Sequence, residues 1–200
     1  MPSIYQIKPR FQALLRPLVR ALAAGGITAN QVTLAAAAMS VAAGIVLAFY
    51  GGTARVWLLL PVVLFVRMAL NAIDGMLARE HGQKSALGAF LNELCDVVSD
   101  AALYLPFALL GAPAVTVLAV LASALTEMAG VVALQVGAER RYDGPMGKSD
   151  RAFAFGLLAF LIGIGLPVAP YLAYAIGAVG LLAAWTAVNR VRAGLAQARR

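Results

Sequence analysis

ARVWLLLPVVLFVRMALNAIDGMLAREHGQKSALGAFLNELCDVVSDAALYLPFALL, residues 54–110, decides how this chain folds. Two apolar runs, 54–78 and 86–110, flank a short polar stretch at 79–85. Each run is long enough to cross the ~30 Å hydrocarbon core of a bilayer as a helix. Yet both carry ionisable residues at depth: Arg67 and Asp74 in the first, and Glu93, Asp96 and Asp100 in the second. A charge near the bilayer centre costs about 3 kcal/mol or more, so an intramembrane charge points first to function.

The pattern repeats on both sides of this stretch. Further apolar runs occupy 31–50, 113–137, 152–168 and 171–189. Their breaks are Gly51-Gly52, Gly111-Ala112-Pro113, the polar stretch 138–151, and Pro167 to Pro170. The reading is an all-α polytopic membrane protein of about six transmembrane helices, one domain over residues 26–200. Across its 200 residues the chain is 62% hydrophobic and 12% charged, with a mean hydropathy of +0.85. A soluble domain carries roughly twice that share of charge. No internal repeat or low-complexity tract interrupts it.

Residues 1–25 read differently. Phe11, Leu14, Leu15, Leu18 and Leu22 share a helical face, with Lys8, Arg10, Arg16 and Arg20 mostly elsewhere. This predicts an amphipathic helix lying in the membrane interface, kinked at Pro17 and ended by Gly25-Gly26. Thr28 or Asn30 caps the next helix. No early apolar core with a small-residue cleavage site is present, so no cleaved signal peptide is expected. The single cysteine rules out an internal disulfide.

The net charge is +7. Nucleic acid binding needs a solvated basic face, and these basic residues instead sit at the ends of apolar runs; anionic lipid head groups are the simpler partner. Arg190, Arg192 and the basic residues of the termini and of both polar loops fall on one flank, while the other holds only Arg55. The positive-inside rule puts both termini in the cytoplasm. Tyr50, Trp57 and Tyr171 lie where an outer aromatic belt is expected. An Ala- and Arg-rich chain fits a bacterial inner membrane.

The charged positions fall into stripes. Arg67, Asn71, Asp74 and Ala78 share one face of the second run; Gly88, Asn92, Asp96 and Asp100 share one face of the third. The short loop between the runs predicts antiparallel neighbours with these stripes facing each other. Carboxylate and amide oxygens at helical spacing suit Mg²⁺ or Mn²⁺, and such an ion suits a diphosphate. A further carboxylate can take a proton from an attacking hydroxyl. Structural glue between helices is the competing use.

Asn71-Ala-Ile-Asp74-Gly75-Met-Leu-Ala78-Arg79, then Gly88-Ala-Phe-Leu-Asn92-Glu-Leu-Cys-Asp96, resembles the CDP-alcohol phosphatidyltransferase signature D-x2-D-G-x2-A-R-x8-G-x3-D-x3-D. Asp74, Gly75, Ala78, Arg79, Gly88 and Asp96 match in register. The amphipathic start, the six runs and Asn30-Gln-Val-Thr33 extend the likeness over most of the chain. The resemblance implies transfer of a phosphatidyl group from CDP-diacylglycerol to a small alcohol, which can itself be phosphorylated, with release of CMP. It also implies a homodimer, divalent-metal binding at the first three motif aspartates, and the fourth as general base. By position Asp74 is then a ligand and Asp96 the base.

Asn71 and Asn92 stand where the family has aspartates. They would ligate through neutral amide oxygens, which removes two negative charges, lowers metal affinity and disfavours a two-metal site. Asp100 or Glu93 can compensate. Gly75 and Gly88 permit close approach of a helix or a nucleotide. Arg79 can bind phosphate or anchor the helix at the membrane surface. Arg67, one turn before Asn71, can also touch phosphate. Glu127 in the fourth run either meets the same cavity or pairs with Arg67. Lys148 and Arg151, three apart, can share a face toward an acceptor phosphate or simply belong to a basic loop. His81 reads as surface and Cys95 as packing.

Overall fold

The computed structural model describes residues 4–199, with side chains from residue 11 onward. Arg200 and the side chains of Lys8 and Arg10 lie outside the described residues. Seven α-helices follow one another: α1 (Ile4–Ala24), α2 (Ala29–Tyr50), α3 (Leu59–Glu80), α4 (Ala86–Tyr104), α5 (Pro113–Val132), α6 (Lys148–Gly163) and α7 (Ala169–Ala198). Short 3-10 segments at Ala54–Leu58, Leu105–Leu110 and Ala133–Val136 extend the neighbouring helices. There is no strand among the described residues.

Local chemistry sets the helix ends. Gly26 turns the chain after α1 with φ of 76°, a left-handed value that favours glycine. The Thr28 hydroxyl then accepts the Gln31 N–H while the Gln31 side chain accepts the Thr28 N–H, a reciprocal capping box. Ser85 caps α4 by accepting the Gly88 N–H, and the Asp150 carboxylate accepts the Gly147 N–H at the start of α6. α1 continues through Pro17 without a break in the helix.

Four stretches, 29–50, 54–80, 113–136 and 169–198, are long and apolar enough to cross a membrane. The other two sequence-read spans fall short for visible reasons. α4 carries Glu93, Asp96 and Asp100. α6 has 16 residues and would reach only ~24 Å. α6 begins at Lys148 rather than near 152, because the Asp150 cap starts it earlier. α7 runs on to Ala198, past the 189 expected.

The helix neighbours differ from the sequence expectation in one important way. The α3 and α4 backbones come little into contact and each packs on α2 instead, while their polar side chains still meet. Small residues allow this. A Cβ on Gly44 of α2 would lie 2.2 Å from the Ala102 carbonyl oxygen of α4. Lipid offers no hydrophobic drive between helices, so such close backbone contact is the main source of association. Gly44→Ala is therefore expected to destabilise the bundle by about 1–3 kcal/mol. Unfolding in detergent micelles checks this, and unchanged stability would mean that α2 and α4 do not meet at Gly44.

α5 packs on α7, and α6 packs on α3 and on the 54–58 segment. Their shared core is aromatic. Trp57 lies 4.5 Å from Phe107, and Tyr104 stacks on Phe155 at 4.0 Å. Trp57 is fully buried and donates its indole N–H to the Gly51 carbonyl at 2.8 Å. It is thus a core residue and not part of an aromatic belt, because the chain supplies its polar partner internally. Tyr50 and Tyr171 are exposed.

α1 lies along α3. Phe11 meets Phe65 edge-on, and Leu15, Val19 and Leu22 pack near Ile73, Met76 and Leu77. Leu14 and Leu18 are exposed. The apolar face read from sequence therefore divides: one edge grips α3 and the other stays open. Arg16 and Glu80 join the two helices at the surface.

Candidate active site

The α3 and α4 backbones stand apart, and long polar side chains bridge them. α3 contributes Arg67, Asn71 and Asp74; α4 contributes Asp96 and Asp100; α6 contributes Lys148 and Arg151. Asp74, Asp100, Arg67 and Arg151 are all buried. Burying so many charges is stable only if each finds a partner.

Each does. The Arg67 guanidinium donates to Asp100 at 2.5 Å, to the Asp96 carbonyl at 3.1 Å and to Asp96 Oδ1 at 3.4 Å. Asn71 Nδ2 lies 3.5 Å from the same Oδ1. The Lys148 ammonium contacts that oxygen as well. Arg151 donates to Asp100 Oδ2 at 3.0 Å and to Glu127 at 2.7 Å. Lys148 and Arg151, three apart on α6, thus meet Asp96 and Asp100, four apart on α4. Asp74 takes the Thr33 hydroxyl of α2 on Oδ2 at 2.7 Å, and its electrostatic neighbours include Asp96 and Lys148.

Some sequence-read residues take other places. Asp100, expected among metal ligands, has Oδ1 on Arg67 and Oδ2 on Arg151, so neither oxygen is free. Glu127 does not pair with Arg67. It holds Arg151, Arg190 and Arg140, because α5 packs on α7 and α4 rather than on α3. Glu93 accepts from Arg140 Nε and one terminal guanidinium nitrogen, each at 2.7 Å. Asn92 is exposed and His81 is exposed. Arg79 is exposed on the surface end of α3 and folds back over Gly75, where a Cβ would meet its guanidinium at 2.9 Å. A Cβ on Gly88 would meet the Asn30 side-chain oxygen at 2.8 Å. At both glycines the near atoms are the ends of side chains. Ala78 packs beside the α1–α3 contact.

Three features were missed by sequence reasoning. Thr33 holds Asp74, although Asn30-Gln-Val-Thr33 was noted only as a likeness. Arg190, read as a membrane-flank charge, is 2% exposed and donates to the Thr126 carbonyl and Glu127. The spacing Thr186, Arg190, Gly194 on one face of α7 was its signal. Arg140, in the loop from 137 to 147, reaches across to Glu93 and Glu127. In that loop the Arg141 guanidinium grips Asp143 and holds its carboxyl below the usual carboxylate range.

A cavity of about 460 Å³ opens between α3 and α6. Its polar part is Arg67, Asn71, Lys148 and Ser149; its walls include Phe65, Met68, Phe153, Leu157 and Phe160. The site thus joins a charged head to an apolar cleft. An amphiphile with an anionic head group matches both.

The family model for CDP-alcohol phosphatidyltransferase matches residues 26–188. The chain belongs to that family. Inner membrane protein YnbA of Escherichia coli is 47% identical over 203 residues, covering 96% of each chain. Archaetidylinositol phosphate synthase of Pyrococcus horikoshii is 34% identical over 106 residues, 53% of this chain and 54% of that one. Phosphatidylinositol phosphate synthase of Mycobacterium tuberculosis with CDP-DAG bound superposes with a TM-score of 0.75 at 22% identity, covering 89% and 92% of the two chains. The same synthase with manganese and citrate gives 0.74. Its fold is the fold of this chain. Membership and four apolar helices make this family member an integral membrane protein.

The donor set can be tested against a divalent cation. No group of three or more His, Cys, Asp or Glu among the described residues is arranged to hold a metal ion. Among the described residues, Asp74 Oδ1 and Asp96 Oδ2 nevertheless take no side-chain donor. Mg²⁺ is commonly held by one or two carboxylates together with substrate phosphates. The open oxygen of Asp74 fits a share in one hard cation carried with a diphosphate.

Proposed function

We propose that the protein transfers a phosphatidyl group from CDP-diacylglycerol to a small alcohol and releases CMP. The observation that carries this reading is the junction at Asn71 and Lys148. There the α3–α6 cleft, sized for acyl chain, is lined by the two side chains that contact Asp96. The head group would lie over α3 and α4 with its diphosphate toward Arg79 and Arg67.

Asp96 is the general base. Lys148, Arg67 and Asn71 anchor Oδ1, which leaves Oδ2 to take the acceptor's hydroxyl proton. The acceptor oxygen bonds to the lipid-side phosphorus. The bond from that phosphorus to the oxygen of CMP breaks, and CMP carries the electron pair away. Mg²⁺ or Mn²⁺ held at Asp74, with Asn71, Asn92 and the diphosphate, would neutralise charge on the leaving phosphate. Arg79 adds a guanidinium to the same charge.

We read α1 as interfacial, with Leu14 and Leu18 facing lipid, and α2 to α7 as six crossing helices with both termini cytoplasmic. The working unit is a homodimer, as the family likeness implies. The asparagines at 71 and 92 favour one rival, a relative that binds CDP-lipid without turnover.

A screen of alcohols, phosphorylated and not, with labelled CDP-diacylglycerol and several divalent metals separates the two. CMP release with at least one acceptor is expected. Tight donor binding with no release for any acceptor would support the rival.

A further inference from the structure

Three donors converge on one oxygen of Asp96, and one of them is a full ammonium. Lys148 contacts Oδ1, while Arg67 and Asn71 stand at 3.4 and 3.5 Å. A second metal ion at this carboxylate would need anionic oxygens of its own. Asn71 and Asn92 carry no charge. Asp100 is spent on Arg67 and Arg151, Glu93 on Arg140, and Glu127 on Arg140, Arg151 and Arg190. That ion would also face the Lys148 ammonium, a like charge in a weakly screened setting.

We infer that Lys148 is a built-in cation that does the work of a second metal ion at Asp96, so that the site takes a single divalent ion. The two departures at 71 and 92 and the position of Lys148 then belong to one adaptation. Removing two carboxylates without adding a fixed positive charge would leave Asp96 short of a cation. Adding Lys148 beside a complete set of four carboxylates would repel metal. Lys148 is in this role a positioning residue, acting through Asp96. The inference rests on the proposed transfer reaction.

Quantitative electron paramagnetic resonance with Mn²⁺ tests it on the full chain in detergent with CDP-diacylglycerol. One Mn²⁺ per chain is expected for the parent. Asn71→Asp with Asn92→Asp and Lys148→Met, all close in shape to the parent, is expected to take two, with spin–spin broadening. The two aspartates without the Lys148 change should bind the second ion at least about tenfold more weakly than that triple variant. Two ions in the parent, with CMP release intact, would overturn the inference and leave the transfer reaction standing. Equal uptake of the second ion with and without Lys148 would overturn the role given to Lys148. A parent that neither binds Mn²⁺ nor releases CMP would sink the transfer reaction, and the inference with it.

Discussion

Asp96→Asn is expected to lower CMP release by about 10²–10⁴-fold, the range that a positioned general base contributes. The substitution keeps the shape of the side chain. Its oxygen can still accept from Lys148, Arg67 and Asn71, the three donors now on Oδ1. What disappears is the capacity to receive a proton from the acceptor hydroxyl. Donor binding should stay within a few-fold of the parent, because the cleft residues between α3 and α6 are untouched. Release of labelled CMP, read beside calorimetry of CDP-diacylglycerol binding, distinguishes these effects. A variant that keeps more than about a tenth of parent turnover would remove Asp96 as the base.

Arg151→Met should show the largest loss of stability of any single change in the cluster. Arg151 is fully buried. Its guanidinium donates to Asp100 and Glu127, and also to the Thr126 hydroxyl at 3.3 Å and the Met146 carbonyl at 3.2 Å. Methionine fills much of the space but leaves two buried carboxylates short of positive charge. Breaking a buried pair from one side costs about 3–5 kcal/mol. Reversible unfolding in micelles measures this. Adding Asp100→Asn and Glu127→Gln to Arg151→Met should recover part of the loss, since the excess negative charge is then gone. Arg16→Ala, at the exposed pair with Glu80, should leave stability unchanged. Parent-like stability for Arg151→Met would mean that solvent reaches the cluster.

The stripes were legible because helical spacing is a property of the chain alone. Arg67, Asn71 and Asp74 do fall together, as do Asp96 and Asp100, and the family signature marks the same residues. The partners were not legible. Which carboxylate meets Lys148 or Arg151 depends on where α6 lies relative to α4, and no local pattern encodes that. The same limit explains Glu127, whose partners come from α6, α7 and the loop carrying Arg140. Loop length was a guide to the facing stripes of α3 and α4 but not to their backbone packing. A short connection permits direct packing, but Gly44 on α2 gives α4 a closer backbone partner.

Apolar runs, their breaks and the charges within them determined that this chain enters a bilayer as helices and carries polar stripes on α3 and α4. Those traits follow from composition and from the 3.6-residue period. Only the tertiary structure decided which charges neutralise one another, which carboxylate oxygens stay open, and that an apolar cleft ends at the polar stripe. The reason is electrostatic: inside a bilayer the state of each ionisable group is set by atoms within a few ångströms, and most of those atoms arrive from distant parts of the chain.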